Sequence, residues 1–383
     1  MTTSAEETRL VTSSQIPVRN LWLLELFASH LYRRGGADLA GFETMPEELP
    51  DAVTRLLVYE TETRLRQSLS VGFRRRQDQL PRVRGRIDVL DTYRHRYLDR
   101  GRVSCRFDEI VVDTPGNRLV RAALSRATRL VNDPELAQRT RALQERFRAF
   151  GVGDSPPRAA EISALLADRS MVRDRRMLCA AELLLTFRIP APGGDGRAFV
   201  DIADGDHFLR RLFEHAVHGF FEHRLSPAGW SVRHGHQLDW DIESSSPGLR
   251  ALLPSMFTDV ELEQTSARRH IVIDTKFTSI TRPNQYDRDR FKSEYIYQMY
   301  SYLMSQHDRR SAAGLPPSEG LLLHPVVRGH VDEELTVQGH RIRFYTVDLA
   351  ARADIVIAQL VGAVSDGPAD PVPDCSRWRR RHR

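Results

Sequence analysis

An apolar strand that ends in charge limits what this chain can fold into more than any other feature. Ile271-Val-Ile-Asp-Thr-Lys276 opens on three branched apolar residues, the mark of a buried strand, and closes on Asp274 and Lys276. Residues two apart in a strand share a face, so the carboxylate and the ammonium point the same way. A charge carried into an apolar layer has to be satisfied there. Upstream, Asp259, Glu261 and Glu263 repeat the two-residue spacing, and the polar QTSARR between the segments predicts a hairpin with strands over 256–263 and 270–277. That hairpin sets one upstream carboxylate beside Asp274. Neighbouring carboxylates repel unless a proton or a cation lies between them. A hard divalent ion with oxygen ligands, Mg²⁺ or in its place Mn²⁺, suits the pair Asp259 and Asp274. Lys276 then positions a water or stabilises charge on a phosphate.

The basic residues sharpen the reading. Lys276 and Lys292 are the only lysines among 56 Lys and Arg residues. Arginine serves equally well where only charge matters, but not where a compact ammonium is needed. A lysine in such a chain therefore flags chemistry. Lys276 fits that description, whereas Lys292 and Arg290, which could touch phosphate, lie outside the pattern and read first as surface residues. The net charge of +5 suits an acidic partner such as nucleic acid. No apolar run approaches the roughly 18–20 residues of a membrane span. The N-terminus is polar and acidic rather than secretory, and three scattered cysteines build no disulfide framework. These features read as a cytoplasmic protein. The chain has no G-x-x-x-x-G-K-[ST] and no G-x-G-x-x-G, so any nucleotide-driven step belongs to another chain.

Along the chain, 1–15 reads as a disordered lead and 16–190 as an N-terminal domain with a small β region at 71–112. Leu21, Leu24, Phe27, Ala28 and Leu31 fall at helical spacing with Gly35-Gly36 as the stop, and further helices are expected over 49–69, 113–131, 135–150 and 159–188. Residues 191–197, with three glycines and a proline, form the expected linker. The second domain, 198–365, predicts a helix at 206–225, a strand at 231–240, the hairpin, a helix at 288–305, strands at 320–325 and 341–347, and a helix at 350–364. Residues 366–383 read as a disordered basic tail. The fold class is α/β (α+β overall), with a mixed central sheet in the second domain.

The acidic residue, hairpin and Asp-x-Lys resemble the PD-(D/E)xK restriction-endonuclease pattern. Gln298 and Tyr302 follow on one face of the next helix, a Q-x-x-x-Y pair that several branches of that fold carry. Glu214 stands where the fold often places an extra helix glutamate. A proline is absent directly before Asp259, where Thr258 stands.

Five segments together resemble the McrC family of McrBC-type modification-dependent restriction systems. They are Ile16-Pro-Val-Arg-Asn-Leu, Arg84-Gly-Arg-Ile-Asp88, Arg106 to Arg118, Leu212-Phe-Glu214, and Ile273-Asp-Thr-Lys-Phe277 with Gln298 and Tyr302. The resemblance implies a nuclease in the C-terminal half and an N-terminal half that docks on a hexameric AAA+ GTPase, McrB. It implies that the partner reads methylated cytosine in double-stranded DNA and that this chain stimulates its hydrolysis and makes the cut. The basic β segment, with Arg74, Arg75, Arg76, Arg82, Arg84 and Arg86, is the expected contact to motor or DNA. Two other readings stay open at this point: an activator with a vestigial nuclease half, and a self-sufficient nuclease.

Overall fold

The computed structural model describes residues 16–35, 46–187, 199–200, 206–240, 242, 244–246, 248–283, 289–327 and 329–365. The expected lead, linker and tail lie outside them. The chain forms two compact units, and their boundary differs from the expected one. Described residues through Leu49 group with those beyond Pro190, while residues from Pro50 to Phe187 form the other unit. Among the described residues no helix is long and apolar enough to cross a membrane.

The reason for the different boundary lies in helix α1, Val18–Ala28, which buries Leu21, Leu23, Leu24, Leu26 and Phe27. So apolar a helix needs cover on nearly every side. It packs on helix α2, Asp206–Leu225, with the Phe27 and Phe220 rings 5.2 Å apart. A Cβ at Gly219 would lie 2.0 Å from the Phe27 carbonyl oxygen, so only glycine lets the two backbones meet there. Asn20 fixes the other end of α1, its Nδ2 donating to the carbonyls of Leu349 (2.7 Å) and Ala351 (2.8 Å). The helix expected to run on towards Gly35 breaks at Ser29. The Ser29 hydroxyl donates to Leu26 O and accepts from the Tyr32 amide, closing one helix and opening the next.

The same unit holds a six-stranded mixed sheet. Its strands are β1 (Trp230–His234), β2 (Val260–Gln264), β3 (Arg269–Thr275), β4 (Glu319–Pro325), β5 (Asp332–Val337) and β6 (His340–Val347), in the order β5-β6-β4-β3-β2-β1. β3, β4 and β6 run parallel, and the remaining neighbours are antiparallel. Helix α3, Ser293–Met304, covers the face that carries Val272, Leu322, Ile342 and Phe344. Helix α4, Ala353–Val364, lies on the other face, where Arg343 donates to the Gly362 and Ala363 carbonyls. β4 reads Glu-Gly-Leu-Leu-Leu-His-Pro because a parallel central strand is covered on both sides. The expected strand at 231–240 is two pieces, broken at Gly235 with its φ of +61°.

In the 50–189 unit, helix Leu49–Gln67 precedes a three-stranded antiparallel sheet of Gly72–Leu80, Val103–Val111 and the short Arg86–Ile87. A Cβ at Gly85, whose φ is +69°, would lie 2.5 Å from Arg106 O. That glycine lets the Arg84–Asp88 segment close onto its neighbour strand. The Arg106–Arg118 segment has a structural role at its far end. Thr114 caps helix Pro115–Leu130, and the Asn117 amide donates to Ser70 O (2.9 Å) and Val112 O (2.7 Å). Arg118 Nε pairs with Asp113 Oδ1 at 2.7 Å and, as the main cause, holds the Asp113 carboxyl down at about 2. The helix expected over 159–188 is two, Ala159–Ala167 and Arg175–Thr186, because Asp168 turns back to accept from the Ser170 amide.

Candidate active site

The β2–β3 ladder pairs Ile273 with Val260, which puts Asp274 opposite Asp259 in the next step. Of the three upstream carboxylates, Asp259 is therefore the one that meets Asp274. It is locked in place by Thr275, whose amide and hydroxyl both donate to Asp259 Oδ2 at 2.7 Å. Lys276 stands just past the end of β3 and stays in line with the sheet through its amide bond to Leu323 O (3.0 Å). Its Nζ donates to Asp274 Oδ1 at 2.7 Å, while Asp274 Oδ2 is buried with no hydrogen-bond partner. Asp274 is 1% exposed and Lys276 21%, so the site opens on the lysine side.

The electrostatics follow from this crowding. Burial pushes Asp274 up to about 7; Lys276 pulls the other way, and the charges of Asp259 and Glu214 add to the rise. Burial also raises Asp259, again opposed by Lys276 and reinforced by Glu214. Glu214 thus faces the pair from α2. Its Oε1 accepts from His234 Nε2 at 2.9 Å, and that bond is the main reason its own carboxyl sits below the ordinary range. On α3, Gln298 Nε2 donates to the Tyr302 hydroxyl at 2.7 Å. Burial and then the Asp274 charge push Tyr302 to about 12, so at neutral pH it is a protonated donor. All six residues singled out in the sequence are brought to one end of the sheet.

Glu261 and Glu263 take other roles. Glu261 is 1% exposed, with His236 Nδ1 at 3.0 Å and His270 Nε2 at 3.8 Å. Burial works to raise its carboxyl, but bonds and charge from His270 and His236 prevail and hold it low. Nothing in local sequence joins His236, Glu261 and His270; the sheet does. Glu263 pairs with Arg233 at 3.0 Å. Arg290 is exposed, as expected. Lys292 departs from its expected surface position: it is half-buried, with Thr278 Oγ1 at 3.4 Å and the Tyr295 hydroxyl at 3.5 Å.

Among the described residues no group of three or more His, Cys, Asp and Glu side chains is arranged to hold a metal ion by itself. Mg²⁺ does not need one. It is held through one or two carboxylates and takes its other oxygens from water and substrate phosphate. The unpartnered Asp274 Oδ2 beside Asp259, two carboxyls both raised above the ordinary range by burial, is a donor set that fits such an ion.

Comparison with known proteins gives consistent matches. The type IV methyl-directed restriction enzyme EcoKMcrBC of Escherichia coli (strain K12) is 23% identical over 342 residues, covering 87% of this chain and 93% of that protein. A solved half-complex from a tetradecameric assembly of Thermococcus gammatolerans McrB AAA+ hexamers with bound McrC aligns at 15% identity and a TM-score of 0.39, over 82% of this chain and 67% of that one. The cryo-EM structure of the Thermococcus gammatolerans McrBC complex aligns at 17% identity and a TM-score of 0.35, over 55% and 59%. The profile of the McrBC 5-methylcytosine restriction system component family matches residues 8–315. With most of its length matched, the chain belongs to that family.

Proposed function

We propose that this chain is the Mg²⁺-dependent endonuclease subunit of a McrBC-like restriction system, with a PD-(D/E)xK nuclease fold in the unit that carries the mixed sheet. It cleaves methylcytosine-containing duplex DNA together with an AAA+ GTPase partner, whose hydrolysis it stimulates. The observation that carries the reading is the Asp259–Asp274–Lys276 constellation, with Asp274 Oδ2 left without a partner inside it.

Asp259 and Asp274 would hold Mg²⁺, with Mn²⁺ able to replace it. When bound, the ion supplies Lewis-acid stabilisation of charge on the phosphate oxygens. The chain's own groups do the rest. Thr275 fixes the rotamer of Asp259, so one oxygen is spoken for and the other is presented to the site. Lys276, anchored on Asp274 Oδ1, directs its remaining protons towards a water and the scissile phosphate. The new bond joins the water oxygen to phosphorus, the bond from phosphorus to the leaving sugar oxygen breaks, and the proton the water releases to solvent is balanced by the one the leaving oxygen takes up from it. The Lys276 ammonium lies where negative charge grows. Tyr302, held protonated and oriented by Gln298, faces Asp274 as a neutral donor.

The small sheet of the 50–189 unit is our choice for the partner contact. Phe73, Leu90, Tyr93 and Ile110 are 73%, 84%, 69% and 63% exposed, among exposed arginines 74, 75 and 76. Large apolar side chains in water mark an interaction surface. The test is cleavage of methylated duplex by chain and partner together. Mg²⁺ and Mn²⁺ should support it, and Ca²⁺ should bind with little turnover because its looser geometry orients water poorly. Cleavage undiminished in EDTA would sink the proposal.

A further inference from the structure

The chain's two lysines converge on one ring. Lys276 Nζ lies 5.7 Å from the centroid of Tyr295 and Lys292 Nζ lies 5.2 Å from it. The two ammonium groups are therefore at most about 11 Å apart, close enough to meet neighbouring phosphates of one DNA strand. The short hairpin of Thr281–Pro283 and Asp289–Phe291 folds the chain back to bring Lys292 there, and Lys292 is the N-cap of the 12-residue helix α3.

Its surroundings are built for an anion. Lys292 has two hydroxyls beside it, Thr278 Oγ1 at 3.4 Å and Tyr295 OH at 3.5 Å, themselves 3.1 Å apart. Among the described residues no carboxylate pairs with it. Underneath, His324 is fully buried, with its Nδ1 on Thr278 O at 2.9 Å and its Nε2 without a hydrogen-bond partner, its ring 5.4 Å from that of Tyr295. Burial and the two lysine charges, against the bond to Thr278 O, hold His324 at about 4, so it stays neutral. An ammonium, two hydroxyls and a helix N-terminus share this corner.

We propose that Lys292, Thr278 and Tyr295 form a second phosphate-binding subsite, which grips a phosphodiester of the substrate strand next to the one cut beside Lys276. The proposal rests on the nuclease reading of Asp274 and Lys276. A lysine suits the position because it offers a point charge with three rotatable donors to hydroxyls and one phosphate, where a guanidinium fork needs a flat, two-toothed acceptor.

The experiment is equilibrium binding of the full chain to a fluorescent methylated duplex in EDTA, across a series of NaCl concentrations. Losing one phosphate contact lowers the slope of log K against log salt by about 0.9. Lys292→Gln should show that loss, and Lys292→Arg should keep the wild-type slope. Thr278→Val and Tyr295→Phe remove hydroxyls but no charge, and should weaken binding several-fold at unchanged slope. With Mg²⁺ and partner, Lys292→Gln should raise KM about tenfold with kcat within a factor of a few. An unchanged slope in a folded Lys292→Gln overturns the subsite, as does a wild-type chain that binds no duplex. If Lys292→Gln does not fold, a changed slope in Thr278→Val or Tyr295→Phe, or a lost slope in Lys292→Arg, overturns it instead. The binding slope needs no cleavage, so failure of the nuclease reading shows separately, as cleavage that survives Asp274→Asn.

Discussion

Removing the carboxylate of Asp274 should stabilise the metal-free protein while abolishing cleavage. The folded-state pKa of about 7 lies above the ordinary 3.8, so the folded chain holds this proton more firmly than the unfolded chain does. Between those two values the unfolded chain has released the proton and the folded chain has not. Stability therefore falls as pH rises through that window, by about 1.4 kcal/mol per unit. A gap of about three units makes the ceiling roughly 4 kcal/mol, reached at and above pH 7. Asp274 is 1% exposed, so solvent screening takes little from that figure. Against it stands the bond from Lys276 Nζ at 2.7 Å, a charge-assisted contact of about 1.5–3 kcal/mol that an amide oxygen keeps only in part. The net for Asp274→Asn at pH 8 in EDTA is then about 1–3 kcal/mol of added stability, a rise of roughly 2–10 °C in Tm for a unit of this size. At pH 5 the difference should shrink or reverse, since the wild-type carboxyl is already protonated there. Saturating Mg²⁺ should stabilise the wild type, by about 2.7 kcal/mol at a hundredfold excess over Kd, and leave the variant unmoved. Thermal melts at pH 5 and pH 8, with EDTA and with Mg²⁺, measure all four corners. An Asp274→Asn protein that is less stable than wild type at pH 8 in EDTA, or that still responds to Mg²⁺, would refute the reasoning.

The other predictions are brief. Lys276→Ala should cut turnover by roughly 10²–10³, the usual cost of losing one donor aimed at developing charge. Lys276→Arg should fail as well, because the guanidinium is planar and bulkier; near-normal cleavage of methylated duplex by that variant would remove the lysine from the mechanism. Gly219→Ala should destabilise the unit that holds α1 by about 1–3 kcal/mol or more, since a backbone oxygen 2.0 Å away cannot give as a side chain does. Urea denaturation checks this, and a change within 0.5 kcal/mol would count against the close approach. Charge reversal at Arg84 and Arg86 together should lower the partner's nucleotide hydrolysis while the Mg²⁺-induced Tm shift persists. Loss of both at once, in a folded protein, would deny the division of labour between the two units.

Local pattern carried much of this structure and stopped where distant segments meet. The apolar run before Asp274 and the alternation around Glu261 place the hairpin, because a strand's two-residue period is written in neighbouring residues, but the strand expected over 256–263 is two pieces: Met256–Phe257 pairs with Gln237–Leu238 and the hairpin strand starts at Val260. Helix α2 agrees with its expected span, 206–225, for the same reason at helical period. The coupling of Glu214 to Asp259 and Asp274 was legible only as a position on a helix. β5 was missed, as its Asp-Glu-Glu-Leu-Thr-Val lies on a polar, exposed edge with no apolar stripe to betray it. The burial of Glu261 against His236 and His270 depends on strand order, which no local spacing encodes. Lys292 was misplaced because a strand at Asp289–Phe291 stands where a helix from 288 was expected. The grouping of α1 with the sheet unit rests on contacts such as that of Asn20 with Leu349, hundreds of positions apart.

That last grouping sets a timetable for synthesis. α1 leaves the ribosome early, with Leu21, Leu23, Leu24, Leu26 and Phe27 uncovered, and its partner surface around Gly219 follows only after the whole 50–189 unit. At about 5–20 residues per second the wait is roughly 10–40 s. A greasy helix held that long in a crowded solution is a natural client for a chaperone that grips short apolar segments. The intervening unit, contiguous in sequence, can fold during the delay. The sheet cannot close until β6 and the Leu349 carbonyl have emerged. A message broken before that point therefore yields the middle unit without a finished sheet, so the unit that carries the candidate site matures last.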